Sequence, residues 1–113
     1  MLIVRDNISI AELKIMSAET FGDLVKAVVD VRRRIIAVGG DLHSDEEALL
    51  LEDGSSQHDL WGINLYPQFE DERRIEFDSV INIRPGQGNR SRGVDDTEIR
   101  EAIRSIVGEM VIP

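Results

Sequence analysis

The sequence predicts an α+β fold: a mostly antiparallel sheet of about four to five strands with two or three helices on one face. Three observations carry this. Several short stretches alternate apolar and polar residues, so each strand has one face of either kind. Two Ser-x-x-Glu pairs stand before apolar runs, the pattern of a helix start. The C-terminal stretch repeats its apolar residues at helical spacing. At 113 residues the chain is one domain spanning residues 1–113.

The elements follow in order. Leu2-Ile3-Val4 is a short first strand. Ser9 and Glu12 form a capping box, and Ile10, Leu13 and Met16 recur on one face, which predicts a helix over residues 9–19. Val25, Ala27, Val29 and Val31 share one face of a strand with Lys26 and Asp30 on the other. Ile35–Val38 resumes after Arg32-Arg33-Arg34, which predicts a hairpin with three arginines at its tip. That tip lacks the Gly or Asn that tight hairpins favour. Ser44 and Glu47 make a second capping box for a short helix whose apolar body is Ala48–Leu51, and Gly54 stops it.

Leu60–Tyr66 is a strand ended by Pro67. Trp61 and Tyr66 are packing residues of its core or edge. Arg74–Arg84 is the longest strand expected. Ile75, Phe77, Ser79, Ile81 and Ile83 lie on one face of it, with Asn82 and Arg84 on the polar face. Pro85–Gly93 has no periodicity. Asp95 or Asp96 caps a final helix whose buried stripe is Ile99, Ile103, Ile106, Val107 and Met110.

Composition narrows the function. There is no cysteine, which removes disulfide scaffolds, zinc fingers and thiol catalysis. No apolar run approaches the ~20 residues of a membrane span, and the N-terminus lacks a signal-peptide pattern. A soluble cytoplasmic protein with no membrane partner is expected. The net charge of −9 opposes nucleic-acid binding. The basic residues are eleven arginines against Lys14 and Lys26. Arginine suits fixed, bidentate contacts.

The best candidate site is the segment Asn82–Gly93. It holds no acid in an acid-rich chain. Arg84, Arg90 and Arg92 supply charge-assisted donors; Asn82, Gln87, Asn89 and Ser91 supply neutral ones. Gly86, Gly88 and Gly93 let backbone amides approach a ligand. The segment matches neither a Walker loop nor the dinucleotide fingerprint. Asp95-Asp96 behind it disfavours an anion at the helix start. The structural alternative is a solvated turn whose arginines pair with surface carboxylates.

Two further features stand out. Asp41, His43, Glu46 and Glu47 offer acid–base or metal-ligating groups, although acids in a first helical turn also serve the helix dipole. Residues 41–59 contain seven acids and no Lys or Arg, whereas residues 79–94 contain three Arg and no acid. Such segregation fits an internal ion-pair network or a homodimer contact.

The stretches Ala37–His43, Asp59–Asn64 and Ile81–Pro85 with Gly88–Ser91 are similar to a family of short prokaryotic proteins, archaeal and cyanobacterial, that forms a domain of unknown function. The resemblance covers most of the chain. It implies a prokaryotic, cytoplasmic, single-domain protein and brings no activity, cofactor or catalytic residue with it. The reading is therefore a binding module that uses residues 82–93 for a small anionic ligand or an acidic protein surface, with no cofactor or bound metal. The alternatives are a small enzyme with acid–base or metal chemistry from Asp41, His43, Glu46 and Glu47, and a structural homo-oligomer.

Overall fold

The computed structural model describes residues 1–113. Five strands form one antiparallel sheet: β1 (Leu2–Val4), β3 (Val25–Asp30), β4 (Ile35–Val38), β5 (Leu60–Leu65) and β6 (Ile75–Glu76), in the order β1-β4-β3-β5-β6. A parallel pair, β2 (Ile8–Ser9) with β7 (Val111–Ile112), ties the entry of the first helix to the exit of the last. The helices are α1 (Ile10–Glu19), α2 (His43–Glu52) and α3 (Thr97–Met110). None is long and apolar enough to cross a membrane.

Local chemistry explains most of these boundaries. The Ser9–Glu12 capping box forms as expected: Ser9 Oγ accepts the Glu12 amide at 3.1 Å, and Glu12 Oε1 accepts the Ser9 amide at 3.4 Å. Asp96 caps α3 by accepting the amides of Glu98 and Ile99. The β3–β4 hairpin turns without glycine. Asp30 Oδ1 accepts the amides of Arg32 and Arg33 at 2.9 and 2.8 Å, and Arg34 takes the left-handed conformation at φ 55°. The three tip arginines then pair with Asp59, Asp53 and Glu109.

The α+β class and the five-stranded antiparallel sheet hold. One detail differs: the helices divide between both faces of the sheet. On one face α1 and α3 cover the larger core, which includes Leu13, Val29, Ile36, Trp61, Ile63, Ile103 and Ile106. On the other, α2 places Leu50 on Val28, Ile35, Ala37 and Leu60. The reason lies in β3 and β4. Ile35–Val38 is apolar at every position, and Val28 is an apolar residue between Lys26 and Asp30. Two greasy faces need two covers.

The segment Arg74–Arg84 is also corrected. Only Ile75–Glu76 is a strand; the chain then passes through short 3-10 turns at Val80–Asn82 and Pro85–Gln87. Ser79 Oγ accepts the Ile81 amide and starts the first turn. Ile81 packs at the edge of the α2-side core, but Asn82, expected on a solvent face, is fully buried. Gly62 permits this. A Cβ there would sit 2.5 Å from that of Ser79, so only glycine lets the segment lie against β5.

Candidate functional site

The Asn82–Gly93 segment first does structural work on β5. Along the edge of β5 remote from β3, only Asn64 and Leu65 pair with β6. Side chains occupy the rest. The Asn82 carboxamide accepts the Gly62 amide at 2.8 Å and donates to the Gly62 carbonyl at 2.9 Å, as a neighbouring strand would. The Arg84 guanidinium donates to the carbonyls of Leu60 and Gln57 while stacking on Trp61 at 4.3 Å. Gln87 Nε2 donates to the His58 carbonyl at 2.7 Å. An amide, a guanidinium and a second amide thus close an edge that would otherwise present unpaired backbone.

Asn89 holds the loop itself. It is 3 % exposed. Its Nδ2 donates to the carbonyls of Asn82 and Gly93, both at 2.8 Å, and its Oδ1 accepts the Asp95 amide. Asp95 in turn accepts from the Ser91 hydroxyl at 2.6 Å and from the Arg90 amide. The Ser91 bond is the main reason that the Asp95 carboxyl titrates below the usual range. The acid behind the loop is therefore one of its fasteners. Of the seven residues expected to bind, Asn82, Arg84, Gln87, Asn89 and Ser91 bond within the chain. Arg92 bonds Asp78 at 2.6 Å at an exposed position, and the Arg90 side chain is exposed without an ion pair.

Arg92 also lines a cavity of about 200 Å³ on the α2 side of the sheet, with Lys26, His43, Ser44 and Ser79. Leu42 and Val80, both largely exposed, border it. The start of α2 explains this cavity. Ser44 was expected to cap the helix, but α2 begins at His43 with Leu42 in the cap position, and no side chain bonds its first amides. The Asp45 and Glu46 amides bond the Leu42 carbonyl, and the amides of His43 and Ser44 keep their donor capacity at the positive end of the helix dipole. Lys26 reaches the same place from β3, opposite Asn64 of β5. Its ammonium lies 5.2 Å from the Phe21 ring and has no carboxylate partner.

His43 is 7 % exposed. Its Nε2 meets the Ile63 carbonyl at 2.8 Å. Burial is the chief cause that holds its imidazole below the ordinary histidine range, so the ring is neutral at neutral pH. Asp78 is held low chiefly by its bond from Arg92.

The acidic group beside His43 disperses. Glu46 is fully buried and accepts the Gly40 amide at 3.0 Å; burial pushes its carboxyl up to about 9. Asp41 lines a separate cavity of about 490 Å³ with Asp45 and Glu52. Glu47 keeps one carboxylate oxygen buried without a partner. No three His, Cys, Asp or Glu side chains gather closely enough to hold a metal ion. Within this set only His43 shares a cavity with an arginine of the loop. Lys26 and the open start of α2 were not anticipated. Their signal was a lysine on a strand in an arginine-dominated chain, and Leu42, a poor cap, before His43.

The fold and the cavity define a class: a small α+β protein with a donor-rich hollow where an uncapped helix meets a sheet. The chain belongs to the family described as Protein of unknown function (DUF5674), which matches residues 2–110. The expected membership of a family of unknown function therefore holds. No curated protein and no solved structure matches the chain.

Proposed function

We propose that this chain is a binding module for a small oxyanion, a phosphate or carboxylate group, held in the cavity at the start of α2. One observation carries the reading. Lys26, whose ammonium has no carboxylate partner, lines the cavity together with Arg92, Ser44, Ser79 and the first turn of an uncapped helix. Cationic side chains and free helix amides are the groups that recognise oxyanions. Asp78 cancels one of the two cations, which favours a modest affinity over permanent occupancy.

The exposed apolar rim of Leu42 and Val80 supports a second reading, in which the oxyanion is an acidic side chain of a partner protein. The same donors serve either source.

Titration with inorganic phosphate and with acetate, followed by amide chemical shifts, tests the proposal. Residues 26, 43–45, 79 and 92 are expected to move together, and Lys26→Gln to weaken binding by ~10-fold. Saturating anion that leaves all of these resonances in place sinks the reading.

A further inference from the structure

We infer that the cavity prefers an oxyanion carrying a proton of its own, hydrogen phosphate over sulfate, because the unprotonated Nδ1 of His43 demands a donor from the ligand; this rests on the oxyanion-binding reading above. The tautomer follows from the neighbour of the ring. Ile63 offers a carbonyl oxygen, which only accepts, so Nε2 carries the hydrogen and Nδ1 the lone pair. Nδ1 has no partner within the chain, on a residue that is more than nine-tenths buried and lines the cavity. The charged groups that act on the ring are Lys26, Arg92 and Asp78. Two cations oppose a second proton on it, and the Asp78 carboxylate is engaged by Arg92.

The other polar side chains named at this cavity, those of Lys26, Arg92, Ser44 and Ser79, carry hydrogens to donate. Sulfate satisfies them but sets an oxygen lone pair against Nδ1. Hydrogen phosphate has nearly the same size and charge, and its P–O–H group can donate to Nδ1. An acceptor that gives up its water to a ligand with no hydrogen to offer in return separates such near-isosteres, since the penalty falls on the wrong ligand alone.

The experiment compares inorganic phosphate with sulfate at matched ionic strength and about pH 7, where sulfate carries no proton and phosphate carries at least one. Phosphate is expected to bind about tenfold more tightly. His43→Gln keeps an amide donor for the Ile63 carbonyl and lacks the lone pair at Nδ1; it is expected to narrow the ratio to about twofold or less. A readout on the wild-type chain covers the case of a variant that does not fold: phosphate shifts the His43 Nδ1 nitrogen resonance and sulfate leaves it in place. Equal wild-type affinities overturn this inference and leave the oxyanion site standing. So does a ratio unchanged in His43→Gln, or a Nδ1 resonance that answers both anions alike. Failure of both anions to bind overturns the inference and, when acetate fails as well, the oxyanion reading with it.

Discussion

Glu46 is an ionisable side chain with no room for its charge. It is fully buried, one oxygen takes the Gly40 amide, and the other has no partner. A carboxyl in that setting stays protonated, with its pKa raised to about 9. The sign of the linkage follows. Above the unfolded value the unfolded chain releases this proton and the folded chain keeps it, so the folded state binds more protons. Stability from this group is fully present below the unfolded pKa and falls as pH rises toward about 9. The loss is on the order of 1 kcal/mol for each pH unit in that window. Glu46→Gln replaces the neutral acid with a neutral amide of the same shape. Urea unfolding is expected to find the variant close to wild type in mild acid and more stable than wild type from neutral pH upward. Parallel pH profiles for the two proteins would show that Glu46 titrates normally. Sequence reading grouped Glu46 with His43 as acid–base or metal-ligating chemistry. An acid in a first helical turn normally faces water, and only the close approach of Gly40, where a Cβ would lie 2.9 Å from Glu46 Cγ, draws this one inside.

The edge of β5 shows how a segment can carry a strand pattern without being a strand. Ile75, Phe77, Ser79, Ile81 and Ile83 alternate correctly, and Ile75 and Glu76 do pair with β5. Beyond them Ser79 caps a 3-10 turn, and the Asn82 side chain supplies the two hydrogen bonds to Gly62 that a backbone neighbour would have made. Period-two reading cannot see this substitution, because an asparagine that bonds main chain and an asparagine that faces water have the same place in the pattern. The glycine was the legible clue: Gly62 inside a strand marks a close approach of something to its backbone. Asn82→Ala leaves the Gly62 amide and carbonyl unpaired in the interior and is expected to cost about 2–4 kcal/mol in urea unfolding. Asn82→Asp keeps the acceptor and loses the donor, and should fall near the same value. A cost below ~0.5 kcal/mol for the alanine variant, the size of an ordinary surface change, would mean that water replaces the side chain without loss. The arrangement also narrows the loop's role in binding, since the polarity that marked residues 82–93 in the sequence is largely spent on holding the sheet edge. Arg92, at the end of the run, is what the loop brings to the cavity.

Across the whole molecule the charges are answered mainly at short range. The acids of residues 41–59 do not wait for the arginines of 82–93: Asp53 pairs with Arg5 and Arg33, and Asp59 with Arg32. The hairpin tip thereby clips to the end of α2 and the start of β5, and Arg34 reaches Glu109 on α3. Tertiary pairing of this kind leaves no trace in one-dimensional charge segregation. The order of elements and the antiparallel sheet were legible because they follow from local pattern. The allocation of helices to faces was not, because β4 is apolar on both sides and gives no preference.

That allocation makes a coupling testable. The small core under α2, with Leu50 at its centre, fixes where the helix start stands over the sheet, and so fixes His43, Ser44 and the free amides. The larger core under α1 and α3, which includes the fully buried Ile103, lies on the opposite face, and of its residues Ile63 meets His43 through its main-chain carbonyl. Both residues are fully buried. Truncating either to alanine is expected to cost about 2–5 kcal/mol by removing buried methyl groups and leaving a cavity. Their effects on anion binding should differ. An oxyanion site depends on donors held within a fraction of an ångström, so Leu50→Ala, which loosens the seat of α2, is expected to weaken phosphate binding by about 5-fold or more. Ile103→Ala should match it in lost stability and leave the affinity of the folded fraction unchanged. Urea unfolding and phosphate titration on both variants, under conditions where each remains folded, separate the two effects. If both variants bind phosphate like wild type, α2 is not what positions the donors. If both lose binding equally, the site depends on global stability rather than on the seat of one helix.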